Sequence, residues 1–231
     1  MNRNIAIITA RGGSKRIPRK NIKDFCGKPI IAYPIEAALN SNLFDEVMVS
    51  TEDEEIASVA RFYGANVPFM RSSKTSDDFA TTEDVLIEVL TEYEKIGRGF
   101  DNLCCIYPTA PFVTVAKIQE AMQLMELKRP EQILPLVRYS FPPQRCNIIN
   151  SHGFVEYKFP EYKTTRSQDL EVWYHDAGQF YIYDVKKFLA CKGNCTEFLP
   201  IFLSELEVQD IDNEVDWKMA ELKYKYLNQD I

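Results

Sequence analysis

The sequence of 231 residues lacks the features that mark several classes of protein. No apolar run approaches the length of a transmembrane helix, and the run at residues 5–8 is too short for a signal peptide. The formal net charge is −7, whereas general nucleic-acid binders are usually basic. We therefore expect a cytoplasmic protein that binds neither nucleic acid nor a membrane.

Histidine is scarce, and the common catalytic and metal-binding motifs are missing. The chain has two histidines and six cysteines. Cys191 and Cys195 are separated by three residues with no histidine nearby, which is poor spacing for zinc. A Walker A motif, a G-x-G-x-x-G motif, a serine nucleophile elbow and a Cys-His pair are all absent from the sequence. The cysteines are therefore expected to be free thiols in a reducing cytosol.

Positive charge is concentrated near the N-terminus. Residues 1–23 contain seven Lys or Arg and no Asp or Glu. Glycines within this stretch allow backbone N–H groups to approach an anion closely. A phosphate site is the functional interpretation, and a solvated basic loop is the alternative. The segment of interest, here called the basic loop (residues 11–21), consists of Arg11, Gly12, Gly13, Ser14, Lys15, Arg16, Ile17, Pro18, Arg19, Lys20 and Asn21.

Alternating apolar runs and helical periodicities predict the fold class. Strands are predicted at residues 5–9, 46–50, 67–70, 103–107, 133–137 and 180–183. Helices are predicted at 29–39, from 54 to Gly64, from Thr81 or Thr82 to about 95, at 115–127 and at 214–227. Strands that alternate with helices indicate one α/β domain over residues 1–231, with a doubly wound, mainly parallel sheet.

Ligands of such sheets bind beyond the carboxyl ends of the strands. This rule makes four places candidates: the loop after Thr9, the region of Thr51, the region of Tyr107 and the loop after Tyr183. Residues 139–173 interrupt the pattern, because they are rich in Pro, Tyr and Arg and lack helical period. A structureless loop of this length is unusual in a compact domain. We therefore expect a small β-rich arm or lid that packs on another subunit.

Three further segments carry chemistry. Asp210 and Asp212 alternate along the chain, so both carboxylates can share one Mg²⁺, although Asp212 could instead cap a helix. His175 beside Asp176 could act in acid–base chemistry, but a structural histidine is the alternative. The segment 107–112 contains two prolines after a strand and either lines a ligand site or connects a strand to a helix.

Together these segments resemble the cytidylyltransferases that activate sialic-acid-type sugars. The opening at residues 5–21 is followed in order by segments at 107–112, 141–145, 174–181 and 210–217. The resemblance implies a nucleotide-diphospho-sugar transferase-like, Rossmann-like fold, and a bacterial homodimer with an arm that crosses between subunits. It also implies transfer of a nucleotide from CTP to an acidic nine-carbon sugar with Mg²⁺, through attack of the anomeric hydroxyl on the α-phosphate.

The resemblance assigns a role to each matching residue. Charge stabilisation during catalysis is implied for Arg11, Lys15, Lys20, Asp210 and Asp212. The residues implied to bind CTP are Arg11, Gly12, Gly13, Ser14, Lys15, Lys20, Asn21, Arg71 and Thr82. Metal binding is implied for Asp210 and Asp212. The residues implied to line the sugar pocket are Tyr107, Gln144, Arg145, His175 and Gln179.

The sequence also bears on the identity of the sugar. Sialic-acid enzymes of this family usually carry Gln-Pro-Thr-Ser-Pro where this chain has Tyr107 and Ala110. This departure weakens a sialic acid assignment. The combination of Tyr-Pro-Thr-Ala-Pro-Phe (107–112), Phe-Pro-Pro-Gln-Arg (141–145) and Tyr-His-Asp-Ala-Gly-Gln-Phe (174–180) resembles the branch of the family that activates pseudaminic acid, with sialic and legionaminic acids as alternatives. A non-catalytic nucleotide-binding module is a more remote alternative, and it predicts a damaged metal site, whereas Asp210 and Asp212 are both present. No residue is identified as the general base.

Overall fold

A central seven-stranded sheet organises the computed structural model, which describes residues 3–77 and 79–228. Its order is β11-β6-β10-β5-β1-β4, and β9 also pairs with β6. Two small hairpins, β2-β3 and β7-β8, lie outside this sheet. The strands are β1 (Asn4–Thr9), β2 (Asp24–Phe25), β3 (Lys28–Pro29), β4 (Glu46–Ser50), β5 (Asn102–Ile106), β6 (Gln132–Arg138), β7 (Asn147–Ile149), β8 (Val155–Tyr157), β9 (Tyr174–Asp176), β10 (Phe180–Asp184) and β11 (Phe198–Leu203).

Strand direction makes the sheet mainly parallel, as predicted. β1 is parallel to β4 and to β5, and β11 is parallel to β6. β10 runs antiparallel to both β5 and β6, so that it reverses direction between two groups of parallel strands. β9 is likewise antiparallel to β6.

Helices cover both faces of the sheet, which confirms the doubly wound α/β class. Side chains alternate along β1: Ala6 and Ile8 face one core, and Ile5 and Ile7 face the other. The first core is covered by α1, α2 and α4, and the second by α3 and α5. The helices are α1 (Ala32–Ser41), α2 (Glu54–Phe62), α3 (Thr82–Lys95), α4 (Val115–Lys128), α5 (Val185–Ala190) and α6 (Glu214–Leu227).

Two local predictions were wrong. Pro29 does not begin a helix, because Cys26 and Gly27 both have positive φ (49° and 99°) and form a tight turn between β2 and β3. Residues 67–70 do not form a strand; the neighbouring contact is a single bridge between Asn66 and Met48. Helix α5 and strands β9 and β11 were not predicted.

The loop after Tyr183 was also assigned to the wrong edge of the sheet. Because β10 is antiparallel, its last residue, Asp184, pairs with Asn102 at the beginning of β5. The carboxyl end of β10 therefore lies at the edge of the sheet where β1 and β5 begin, far from the edge where they end. The residues before β10, rather than those after it, approach the edge where ligands bind.

The segment 139–173, here called the arm, contains the β7-β8 hairpin and three single-turn 3₁₀ helices. The hairpin exposes apolar side chains, among them Ile149 and Val155, at 67% and 66%. Phe141 and Phe154 are exposed at 86% and 71%. The arm therefore presents apolar surface that its own chain leaves uncovered.

The surroundings of the cysteines and the lengths of the helices are also described by the structure. Cys104 and Cys105 are fully buried within the apolar strand β5. The Sγ atoms of Cys191 and Cys195 lie 3.5 Å apart without a disulfide bond. Across residues 3–77 and 79–228, every helix is too short or too polar to cross a membrane.

Candidate active site

A cavity of about 530 Å³ opens at the carboxyl ends of β1 and β5. This volume lies within the range of about 300–1,000 Å³ that is typical of small-molecule sites. The basic loop forms one wall, and the start of α3 with the segment after β5 forms another. Its lining consists of Thr9, Arg11, Ser14, Lys15, Arg16, Lys20, Asn21, Arg71, Thr75, Asp77, Ala80, Thr81, Thr82, Val85, Tyr107, Pro108, Thr109 and Asp212.

Apolar packing brings the basic loop to residues 210–212, almost 200 positions away along the chain. Ile17 of the loop and Ile211 are fully buried in one cluster, which also contains Phe25 and Trp217. Since Ile211 points inward, the flanking Asp210 is exposed and Asp212 is half-buried. The two carboxylates are thus held on the outside of a hydrophobic anchor, next to the cations of the loop.

Polar contacts reinforce this junction. The Nζ of Lys20 donates to the backbone oxygen of Ile211 at 2.7 Å, and Arg16 forms an ion pair with Asp212 at 2.6 Å. Burial lowers the pKa of Lys20, and the nearby carboxylates of Asp212 and Asp210 partly oppose that shift. The site therefore holds a desolvated cation beside two acids, an arrangement suited to a phosphate with a divalent cation.

The alternative interpretation of Asp212 as a helix cap is wrong. Asn213 caps α6 instead: its side chain accepts hydrogen bonds from Val215 N and Asp216 N. Asp216 completes the capping box by accepting from the backbone N–H of Asn213. Because capping does not use the Asp212 carboxylate, this group is left to face the cavity.

The two glycines of the loop differ in their surroundings. The N–H of Gly12 donates to Glu52 Oε1 at 2.7 Å, and a Cβ at this position would lie 2.6 Å from Asp53 Oδ2. Gly12 is therefore required by the packing of the loop against the start of α2, and its N–H is already bound. A Cβ at Gly13 would meet no atom within 4 Å, so the backbone there is open to a ligand.

Arg19 points away from the cavity. The backbone of Arg19 has φ 55°. Its guanidinium binds Asp53 at 2.9 Å and also contacts Glu55. The hydrogen bond from Arg19 is the main cause that lowers the pKa of Asp53 to about 2. Four of the five cations of the basic loop therefore line the cavity, and the fifth fastens the loop to α2.

Arg71 contributes a buried positive charge to the cavity lining. Its Nε donates to Ser50 Oγ at 3.0 Å, and desolvation lowers the pKa of this guanidinium. The segment that follows is tied to α3 by Glu88, which accepts from the N–H of Ser72 at 2.9 Å and from Thr75 Oγ1 at 2.6 Å. These contacts hold the segment between Arg71 and Thr82 against α3, and both Arg71 and Thr82 line the cavity.

Tyr107 forms the wall beyond the end of β5. Its hydroxyl lies 3.4 Å from Thr82 Oγ1, and its ring packs on that of Tyr181 with centroids 5.6 Å apart. Burial raises the pKa of Tyr107. This side of the cavity is thus uncharged and aromatic, in contrast to the basic loop.

The other residues assigned to the sugar pocket lie outside this cavity. Gln144 is buried and donates to Glu171 O at 2.8 Å, and Gln179 is buried and donates to Glu207 O. Arg145 contacts Ser167 Oγ at 3.2 Å on the arm. The ring of His175 packs on Tyr139 at 4.9 Å between centroids. Their role in sugar binding stays a prediction.

Several lining residues were missed by the sequence analysis as individual site residues. Arg16 was noted as part of the basic loop without a role, although it contacts Asp212. Thr75, Asp77, Thr81 and Thr109 also line the cavity. A cluster of Ser, Thr and Asp between Arg71 and Thr82 was visible in the sequence, but its folding back onto α3 depends on Glu88.

The sequence profile of the cytidylyltransferase family matches residues 5–224. The chain belongs to this family and is a cytidylyltransferase. It is 42% identical to the pseudaminic acid cytidylyltransferase of Campylobacter jejuni, over 96% of this chain and 97% of that protein. It is 34% identical to the CMP-N,N'-diacetyllegionaminic acid synthase of Legionella pneumophila, over 98% of this chain and 97% of that protein.

Solved structures support the fold assignment. The chain is similar to CMP:2-keto-3-deoxy-manno-octonic acid synthetase complexed with CTP, with a TM-score of 0.70 and 16% identity over 99% of this chain and 100% of that chain. It is also similar to 4-diphosphocytidyl-2C-methyl-D-erythritol synthase from Anaerococcus prevotii, with a TM-score of 0.63 and 14% identity over 98% and 99%. At these identities the likeness establishes the Rossmann-like fold.

Proposed function

We propose that this enzyme forms a CMP-activated nonulosonic acid and pyrophosphate from CTP and the free sugar, with pseudaminic acid as the substrate. The observation that carries the proposal is the junction of the basic loop with residues 210–212, where Asp212 lines the same cavity as four cations of the loop. The identity of 42% to the Campylobacter enzyme supports the choice of sugar. We propose the cytoplasm of a bacterium as the place of reaction.

The chemistry follows from the charges that line the cavity. The anomeric hydroxyl of the sugar attacks the α-phosphorus of CTP and loses its proton to solvent, and pyrophosphate leaves with the electrons of the broken P–O bond. Arg11, Lys15 and Lys20 offset the charge that builds on the leaving group. The walls hold both reactants in one orientation, which removes much of the entropic barrier to their encounter.

The donor set near the basic loop fits a divalent cation. Asp210 and Asp212 supply hard oxygen ligands, and Mg²⁺ typically takes one or two carboxylates together with substrate phosphates. To bind the metal ion, Asp212 must give up its ion pair with Arg16, and the side chains of that pair are largely exposed. When bound, Mg²⁺ would neutralise charge at the phosphates.

The substrate assignment predicts an order of activity. With saturating CTP and Mg²⁺, we expect kcat/KM to be highest for pseudaminic acid and lower for legionaminic and sialic acids. Pyrophosphate release measured with each acid, together with mass spectrometry of the CMP-sugar, tests this order. A higher kcat/KM for legionaminic or sialic acid would reassign the substrate within the same reaction.

We further propose that the enzyme is a homodimer in which the arm contacts a second copy. The exposed apolar side chains of the β7-β8 hairpin support this proposal. Light scattering should give twice the chain mass of 26.7 kDa. Val155→Asp on the hairpin should shift the mass to that of one chain, whereas Phe62→Asp, at an 83% exposed position on α2, should not. A wild-type mass of one chain would contradict the proposal.

A further inference from the structure

Two contacts tie the basic loop to the short segment between β4 and α2, residues 50–53, here called the β4–α2 connection. Near the start of the loop, the N–H of Gly12 donates to Glu52 Oε1 at 2.7 Å. Near the end of the loop, the guanidinium of Arg19 binds Asp53 at 2.9 Å. The loop is therefore fastened at both ends to one place in the chain.

The β4–α2 connection also holds Arg71. The Nε of Arg71 donates to Ser50 Oγ at 3.0 Å, and its backbone N–H donates to Thr51 O at 2.9 Å. Arg71 and four cations of the basic loop line the cavity, whereas residues 50–53 do not. The connection thus fixes the loop cations relative to Arg71 from outside the cavity.

The β4–α2 connection is itself firmly anchored. Its first residue, Ser50, ends β4, and the backbone oxygen of Ser50 accepts from the N–H of Ala10 at 3.0 Å. Thr51 is fully buried. The side chain of Asp53 caps α2 by accepting from two backbone N–H groups in the first turn of that helix. Contacts made to this segment therefore position their partners well.

We propose that Glu52 and Asp53 are positioning residues, which act through Gly12 and Arg19 to hold the basic loop at a fixed place relative to Arg71. The two groups of cations then bind one triphosphate together. Because they are held in place before CTP arrives, little freedom is lost on binding. The inference rests on the proposed function only for the binding of CTP by these cations, and it holds for any acidic sugar.

Charge alone predicts the opposite effect for these two acids. Glu52 and Asp53 are anions near a triphosphate site, so removing either charge would strengthen CTP binding if charge were their only influence. If they position the loop, their removal weakens CTP binding instead. The sign of the change therefore separates the two explanations. Removal of Arg19 weakens binding under both explanations, so the decisive variants are those of the acids.

Four variants separate position from charge. Glu52→Ala removes the charge and the acceptor of the Gly12 N–H, whereas Glu52→Gln removes the charge but keeps an acceptor oxygen. Asp53→Asn loses the ion pair with Arg19, while asparagine still caps a helix well. Glu54→Ala is the matched control, because Glu54 is an exposed acid in the first turn of α2. Calorimetric titration with CTP and Mg²⁺, without sugar, gives the Kd for CTP, and melting temperatures verify folding.

We expect Glu52→Ala to raise the Kd for CTP about 10-fold, the size of one lost hydrogen bond to a charged group. Asp53→Asn should raise it about 3-fold, because the ion pair with Arg19 is partly exposed. Glu52→Gln should restore most of the affinity that Glu52→Ala loses. Glu54→Ala should stay within about 2-fold of the wild type, since exposed charges are screened.

Two results would overturn the inference. One is a Kd for CTP at or below the wild-type value in Asp53→Asn or in a folded Glu52→Ala variant. The other is an equal loss of affinity in Glu52→Gln and Glu52→Ala, because the hydrogen bond to Gly12 would then play no part. If Glu52→Ala does not fold, the sign of the change in Asp53→Asn decides.

The titration also separates this inference from the proposed function. If the wild-type enzyme binds CTP but releases no pyrophosphate with any of the three acids, the proposed reaction fails while the binding constants still decide the inference. If the wild type does not bind CTP, both are wrong. If it turns over and Asp53→Asn binds CTP as tightly as the wild type, the proposed function stands and the inference alone is wrong.

Discussion

Asp212→Ala should abolish turnover while leaving the protein folded. Asp212 is the carboxylate that lines the cavity beside the basic loop. Loss of a metal ligand removes charge stabilisation worth several kcal/mol, so we expect kcat to fall by at least about 100-fold. The ion pair with Arg16 is largely exposed, so its loss should cost less than about 1 kcal/mol of unfolding free energy. Pyrophosphate release and thermal unfolding measure the two effects.

Glu214→Ala provides the matched control for this variant. Glu214 is a neighbouring acid that also binds a cation of the N-terminal region, Lys23, at 2.7 Å. It lies on α6 and does not line the cavity. We expect turnover near that of the wild type in this variant. If Asp212→Ala kept near-normal Mg²⁺-dependent activity, Asp212 would have no part in the mechanism.

Lys20→Ala should mainly weaken the handling of CTP. Its ammonium group is desolvated and lines the cavity, so its contact with a phosphate is a charged hydrogen bond in a partly dry site. Such bonds contribute about 1.5–3 kcal/mol, so kcat/KM for CTP should fall roughly 10- to 100-fold. Steady-state kinetics with varied CTP at saturating sugar measure this loss.

Two controls separate the phosphate role of Lys20 from the mere loss of one positive charge: the Lys23→Ala variant and the pH dependence of the affinity for CTP. Lys23 lies close in sequence, but its Nζ binds Glu214 and lies 4.6 Å from the centre of the Trp217 ring. Burial lowers the pKa of Lys20, so the affinity for CTP should decline as pH rises through that lowered value. Lys20→Arg should not show this decline. Unchanged CTP kinetics in Lys20→Ala, or an equal loss in Lys23→Ala, would contradict the phosphate role.

Local patterns predicted the layers of the fold. The apolar face of α3, from Val85 to Tyr93, is buried as its period of 3.6 predicted, and Thr81 caps the helix. The continuous apolar run of β1 correctly indicated a strand that is buried on both faces. These features depend on residues that are neighbours in sequence, and so periodicity detects them.

Local sequence patterns did not predict strand direction or the contacts between distant segments. The direction of β10 depends on which strands flank it, and no local signal distinguishes a parallel strand from an antiparallel one of the same composition. Residues 67–70 are apolar, but the chain pairs with the sheet there only through the bridge of the preceding Asn66 to Met48, and no strand follows that bridge directly. The packing of Ile17 on Ile211 joins two distant segments, and a single sequence gives no sign that they are in contact.

In the candidate site, too, the local motifs were predictable from the sequence and the long-range contacts were not. The basic loop and the pair Asp210 and Asp212 were recognised as separate motifs, and the structure places Asp212 on the same cavity as the loop, whereas Asp210 is exposed outside the lining. The turn of Arg19 away from the cavity and toward Asp53 was not predictable, because it depends on a positive φ and on the position of α2. Gln179 was assigned to the sugar, but its amide binds Glu207 O, a partner contributed by the distant segment after β11.

The formation of a CMP-sugar by the wild-type enzyme is the most direct test of the central claim that the basic loop and residues 210–212 form one catalytic site. Purified protein is incubated with CTP, Mg²⁺ and pseudaminic acid, and both products are quantified. The account predicts pyrophosphate and the CMP-sugar in equal amounts, and no pyrophosphate when the sugar is omitted. Binding of CTP without release of pyrophosphate would contradict it and would indicate a nucleotide-binding module instead.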